Sequence, residues 1–318
     1  MDKINNFYFL KLVIILQFIP NFILLIRLFK NHSSEKIEKN NEYNNHEKIE
    51  ELDLDIFNSF SGKDSRIQMD KKDQRFLHGL IRKYKPNKLV EIGVASGGSS
   101  ALILNAIKDL PSSKLYSIDK YKMRQKEPSK KVGWIVEKNF PKLINKWTLF
   151  TGKNPSEYLE IIGNNIDFAF IDTIHYTPGE MFNWLEVLPF LKEEAIVVFH
   201  DVFLMFKDLK QLKKAKKNYS NNQLLCYIRG RMILPSYNKN NNLFSRNIGA
   251  LKLDKNQKKY YKHYFVALGN EWSYIPNKND LKILRKYFIK YYGGELVEIF
   301  DNAVQKNMEK FNLTIDNV

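Results

Sequence analysis

The stretch that most constrains this chain is Lys88–Ser100, KLVEIGVASGGSS. Leu89, Val90 and Ile92 form a short apolar run, the pattern of a buried parallel strand. Glu91 sits near its tip, glycines follow at Gly93, Gly97 and Gly98, and Ala101–Lys108 then reads as a helix. A strand, a glycine turn and a helix start in succession make a nucleotide-pocket geometry. Glycine admits a ligand where a Cβ would clash, and the free N–H groups at the helix start face that ligand. The turn is not G-x-G-x-x-G and no Gly-Lys-Ser/Thr follows, which excludes a P-loop. Taken alone the turn is a weak signal, and a helix start that simply needed glycines is the plain alternative.

The segments downstream repeat the pattern. Lys114–Asp119 (KLYSID) is a second strand ending on Asp119, one β-α-β unit after Glu91, where a carboxylate can accept from ribose hydroxyls. Trp147–Thr151 reads as a third strand. Ile166–Asp172 (IDFAFID) is a fourth, apolar until Asp172, and Ala195–Phe199 (AIVVF) is a fifth that runs into His200-Asp201. Helical patterns separate them at Val132–Asn139, Glu157–Ile162 and Pro178–Leu191. The fold class expected is therefore α/β, a doubly wound and mostly parallel sheet. Asp70–Lys85 reads as a helix leading into the first strand. Ile248–Leu253, Tyr264–Leu268 and Trp272–Ile275 either complete the sheet or build a cap. Leu281–Tyr292 and Glu295–Lys310 read as C-terminal helices.

Residues 7–29 are the longest apolar stretch, broken by Lys11, Gln17, Asn21 and Arg27, which share no helical face. The stretch is long enough to cross a bilayer, and Pro20 would kink it. The basic residues on its C-terminal flank put the body of the protein on the cytoplasmic face. The domain organisation expected is an apolar N-terminal helix over 1–30 acting as a membrane anchor, and a polar linker over 31–52. A catalytic domain over 53–275 and C-terminal helices over 276–318 follow.

Of the 318 residues 44% are hydrophobic, which is enough for an ample core, and the single cysteine, Cys226, forms no internal disulfide. The formal net charge of +16 comes mostly from dispersed lysine rather than from arginines clustered on a reading helix. That composition argues against nucleic acid as a partner; an A+T-rich coding bias gives the same look, and a basic surface facing anionic lipid or glycan is the functional alternative.

In an open parallel sheet, ligands bind beyond the carboxyl ends of the strands. Like charges at successive strand tips repel unless a cation or a ligand amine lies between them. Oxygen-rich ligation there favours Mg²⁺ or Mn²⁺. EIGVASGGSS, SID, FIDTIHY and VVFHDV, in this order and spacing, resemble a class I S-adenosylmethionine-dependent methyltransferase over about Asp70 to Leu204. More narrowly, they resemble the metal-assisted O-methyltransferases, the group that includes catechol and macrolide-sugar enzymes. The resemblance implies a Rossmann-like fold with S-adenosylmethionine as cofactor. Glu91, Gly93, Gly97 and Ser99 would line its methionine part, and Asp119 would hold its ribose. Asp172, His200 and Asp201 would be metal ligands, the histidine at 200 being a departure from the acidic or amide pair usual there. His175, three residues beyond Asp172, would be the base that takes a hydroxyl proton, with Asp172 beside it as a catalytic partner. The acceptor implied is a hydroxylated small molecule or glycan, with a sugar in a surface glycan or its lipid-linked precursor as the expectation. Two rivals remain: a nicotinamide-dependent oxidoreductase on a similar sheet, and a binding protein of this fold whose site is dead. A base-methylating enzyme is disfavoured, because no Asn/Asp-Pro-Pro-Tyr/Phe motif follows the fourth strand.

Overall fold

The computed structural model describes residues 69–202, 224–225, 227–233, 235 and 247–313. The apolar stretch 7–29, the linker 31–52 and the lysine-rich segment 203–219 lie outside the described residues. Among the described residues no helix is long and apolar enough to cross a membrane.

Seven strands form the main sheet: β1 (Lys88–Ile92), β2 (Lys114–Asp119), β5 (Trp147–Thr151), β6 (Ile166–Ile171), β7 (Leu191–His200), β8 (Gly230–Ile233) and β9 (Ile248–Leu253). A two-stranded hairpin, β3 (Met123–Arg124) and β4 (Glu127–Lys131), stands apart from it. The strand order is β5-β2-β1-β6-β7-β9-β8. Chain order reverses between β1 and β6, which opens a crevice at their carboxyl ends. The first five strands pair in parallel, whereas β9 runs antiparallel to both β7 and β8. The doubly wound, mostly parallel sheet is as expected.

Alternation along each strand sorts side chains onto two helical layers. Leu89, Phe168, Phe170, Ile196 and Val198 face α1 (Lys71–Tyr84), α2 (Gly98–Ala106) and α3 (Trp134–Asn139). Val90, Ile92, Ala169, Ile171, Val197 and Phe199 face the other layer. That layer holds α4 (Pro155–Ile162), α5 (Gly179–Val187), α6 (Tyr261–Ala267), α7 (Lys278–Tyr292) and α8 (Gly294–Lys310). The C-terminal helices thus share one apolar cluster with α5 and the sheet. Phe182 of α5 meets Trp272 edge-on at 5.5 Å and Phe300 of α8 at 5.9 Å.

Tyr264–Leu268 is not a strand. Tyr261, Tyr264, Phe265 and Leu268 recur at i, i+3, i+4 and i+7, the spacing of one helical face, and they lie on and just beyond α6. Trp272–Ile275 is a loop that Asn307 and Thr177 hold in place. Trp272 N–H donates to Asn307 Oδ1 at 2.7 Å, and Ser273 N–H donates to the Thr177 carbonyl at 2.8 Å. The loop carries Tyr274 to the mouth of the crevice.

Candidate active site

The turn after β1 is held from three sides. Gly93 N–H donates to the Ile118 carbonyl, and Asp172 N–H donates to the Ile92 carbonyl, each at 2.9 Å. Asp119 Oδ2 accepts from Val94 N–H at 3.1 Å and Ala95 N–H at 3.0 Å. A cavity of about 450 Å³ opens there, within the range of small-ligand sites. Gly93, Ile118, Asp119, Asp172 and Thr173 line one side of it, and Tyr274 and Asp280 the other. Lys120 pairs with Asp280 across the rim, and Asn154 Nδ2 donates to the same carboxylate at 2.9 Å.

Of the residues expected around a donor, Gly93 and Asp119 line this cavity, whereas Glu91, Gly97 and Ser99 do not. Glu91 lies in β1 on the face of Leu89, so it turns under α2 rather than into the crevice. There it accepts from Ser99 Oγ at 2.5 Å, and from Ser100 Oγ and Ser117 Oγ at 2.6 Å. Gly97 is packed against Gly133, whose Cα would lie 2.9 Å from an added Cβ. These three residues brace the turn from below.

Burial pushes the Glu91 carboxyl up to about 7, more than the three serine hydroxyls pull it down. The folded chain therefore keeps a proton between about pH 4.5 and 7 that the unfolded chain gives up. Stability from this group is whole below pH 4.5 and lost as pH rises through 7, about 3 kcal/mol in all. Glu186, also buried and also near 7, adds a comparable slope. Glu91→Gln should make the fall in unfolding free energy between pH 5 and pH 7 shallower. Urea titrations across that range test it, and an unchanged slope would refute the buried-acid reading.

At the tips of β6 and β7 a denser cluster forms. His175 Nε2 lies 2.8 Å from Asp201 Oδ2 and 3.9 Å from Asp172 Oδ1, and its Nδ1 lies 3.2 Å from Glu180 Oε1. His200 Nδ1 is 3.4 Å from Asp172 Oδ2, and its Nε2 is 3.6 Å from Asp73 Oδ2. Asn247, just before β9, donates its side-chain amide to Asp201 and its backbone N–H to Asp73 at 3.2 Å. Asp201 itself sits in the left-handed region at φ +57°, a conformation costly for a residue with a Cβ and common where a site dictates it.

Ligand atoms of Asp172, His175 and Asp201 all fall within 4.8 Å of one another. Asp172 and Asp201 are thus together as the sequence implies. His200 is outside this group: it is 5% exposed and wedged between Asp73 and Asp172. His175 takes its place. Burial pulls both imidazoles down, but the carboxylates outweigh it and raise His175 to about 11 and His200 to about 10. Burial would raise Asp201, yet the His175 imidazolium holds it below the usual carboxylate range.

A family model described as a methyltransferase domain matches residues 90–202, the span from β1 to the turn after β7 that carries every strand tip named above. That stretch is similar to a methyltransferase domain. Comparison with curated proteins gives no match. Among solved structures, the chain is similar in fold to the O-methyltransferase TomG from Streptomyces achromogenes, solved with SAM. Identity is 14%, with 70% of this chain and 94% of that chain covered, and the TM-score is 0.41. An O-methyltransferase from Bacillus cereus, solved with SAH, is 13% identical over 74% of this chain and 100% of that chain, with a TM-score of 0.42. The Podospora anserina methyltransferase PaMTH1, also SAH-bound, is 14% identical over 71% of this chain and 96% of that chain, with a TM-score of 0.43. At these identities the likeness is one of fold, and the scores carry no argument about substrate.

Three residues of the candidate site escape sequence reasoning. Asp73 and Glu180 each read as the ordinary acidic residue of a helix's first turn, where it favours the helix dipole. Asn247 precedes a strand at the far end of the chain, and only the antiparallel pairing of β9 with β7 brings it beside Asp201.

Proposed function

We propose that the protein is an O-methyltransferase acting on a hydroxyl, with the acceptor oxygen held beside Asp172, His175 and Asp201. The observation that carries this reading is the convergence of those three side chains within one ligand sphere at the edge of the donor crevice. For the donor, the carboxylates of Asp119 and Asp172 on the cavity wall suit a ligand that is itself cationic, as a sulfonium with an α-ammonium is. For a metal, the carboxylates of Asp172 and Asp201 are oxygen donors of the kind Mg²⁺ or Mn²⁺ accepts, with His175 beside them left as the base. Bound between Asp172 and Asp201, a divalent cation would acidify a hydroxyl and offset the charge that keeps an extra proton on His175.

The chain's own residues would then do the rest. Glu180 holds the Nδ1 side of His175, so Nε2 is the nitrogen turned toward Asp172 and Asp201 and takes the hydroxyl proton there. The acceptor oxygen bonds to the methyl carbon while the carbon–sulfur bond breaks and sulfur keeps the electron pair, leaving a neutral thioether. Asp119 and the Gly93 turn hold the donor so that oxygen, carbon and sulfur align. A sugar hydroxyl of a surface glycan or its lipid-linked precursor is the acceptor in this reading. Residues 7–29 would hold the domain on the cytoplasmic face of the membrane, where such a precursor is made. The motive for both is the apolar stretch together with the sugar-methyltransferase resemblance.

Methyl transfer from labelled donor to the glycan fraction of the source cells tests the reading. Chelation should lower the rate at least about tenfold, with recovery on adding Mn²⁺ or Mg²⁺, and His175→Ala should lower it roughly 10²-fold or more. A rate indifferent to chelation would remove the cation, and a wild-type rate in His175→Ala would remove the base.

A further inference from the structure

We propose that Glu180 is the positioning residue of the site: through one carboxylate oxygen it sets both the place and the ring orientation of His175. The inference rests on the proposed role of His175 at the crevice. Glu180 lies in the first turn of α5 with no exposed surface, a costly place for a carboxylate that does nothing. Its Oε1 accepts from Thr173 N–H at 2.9 Å and lies 3.2 Å from His175 Nδ1. Thr173 directly follows Asp172, so a single oxygen links the backbone that aims Asp172 to the ring of His175.

The consequence is directional. An imidazole has two nitrogens, and which one faces a reactant is set by the partner of the other. With Nδ1 facing Glu180, Nε2 is the nitrogen left toward Asp201, at 2.8 Å, and toward Asp172. A flipped ring would turn a carbon to the carboxylates. The segment between the two residues is itself tied down: the Thr177 hydroxyl donates to the Glu271 carbonyl at 2.8 Å, and Gly179 N–H donates to the Tyr176 carbonyl at 2.8 Å. Any side chain at position 179 would sit 2.5 Å from the Ile174 carbonyl oxygen, so the turn admits glycine only and delivers Glu180 to one place. Asn183 Oδ1, one turn on, accepts from the Thr173 hydroxyl at 2.6 Å and fixes the same loop from the side.

Glu180→Gln keeps an oxygen for Thr173 N–H and for Nδ1–H but removes the charge, whereas Glu180→Ala removes both contacts. Two measurements on the full chain are needed. One is long-range ¹H–¹⁵N correlation of the His175 ring, assigned with His175→Ala. The other is Mn²⁺ affinity by electron paramagnetic resonance. The expected result is a changed Nδ1 resonance in Glu180→Gln, and Mn²⁺ affinity lower by about 10–100-fold in Glu180→Ala, with the Gln variant between it and wild type. A His175 ring signal identical in wild type and Glu180→Gln would overturn the proposal, whatever the metal does. If wild type takes up no Mn²⁺ while the ring signal responds to Glu180→Gln, the metal part of the proposed function fails and the positioning role stands. A variant that only lost stability would melt lower with both signals unchanged, which would also overturn it.

Discussion

Asp172→Asn should lower methyl transfer by roughly 10²–10⁴-fold and abolish Mn²⁺ binding, with a smaller loss of donor affinity by calorimetry. The size of the effect follows from position. Asp172 directly follows β6 beside the crevice, and its two oxygens are divided between the two histidines: Oδ1 lies 3.9 Å from His175 and Oδ2 lies 3.4 Å from His200. Asparagine keeps the shape but removes the charge that any cation, or any developing positive charge on the acceptor, would meet. Replacing one oxygen by an amide also points a donor at a ring nitrogen that donates itself. The backbone of residue 172 keeps its hydrogen bond to Ile92, so the sheet and the glycine turn are left standing. A wild-type rate with the glycan fraction would sink the assignment of this cluster as the reacting centre.

Gly93→Ala should be the most destabilising small substitution in the domain, by roughly 3–5 kcal/mol, with donor binding lost in what still folds. A Cβ built on Gly93 would lie 1.9 Å from the Asp172 carbonyl oxygen and 2.7 Å from its carbon, atoms of backbone that cannot swing aside. The residue also sits at φ +95°, where a side chain is strained in any surroundings. Gly293, between α7 and α8, separates the two effects: its φ is +82° and nothing lies within 4 Å of a Cβ there. Gly293→Ala should therefore cost only about 1–2 kcal/mol, the conformational share. Chemical denaturation of both variants checks the difference. Equal losses would mean that the contact between the turn and Asp172 is not tight.

Much of the sheet is visible in the sequence because each central strand is an apolar run closed by a charged residue. β2 and β5 begin and end where the pattern changes, and β6 stops one residue short of Asp172. β7 is longer than its apolar run, because Leu191–Glu194 pairs at an irregular register with Lys192, Glu193 and Glu194 exposed, and charge hides a strand end. The hairpin β3–β4 leaves no mark in the sequence for the same reason: EPSKK has no buried residue to set a period. β8 is four residues, GRMI, on the sheet edge, too short for alternation to show. The site is legible where a side chain stands at a strand tip, as with Asp119, Asp172 and Asp201. It is illegible where burial decides the role. Nothing in the string says that Glu180 is enclosed while Glu157, also in a first turn, reaches back to cap its own helix at Asn154. The sequence likewise does not show that Glu91 turns away from the crevice. Period two along β1 does imply it, once Leu89 is known to face α2.

The cavity takes its far wall from Tyr274, Ile275, Pro276 and Asp280, residues that leave the ribosome well after the strands they face. A nascent chain that has already emerged as far as β9 owns the glycine turn and the Asp172–His175–Asp201 cluster but no enclosure around them. Enclosure waits for Trp272 to seat against Phe182 and for Asn307 to catch its backbone. Competence to hold a ligand is thus a late event in biogenesis, and a chain cut short near Leu253 would be left an open half-bowl.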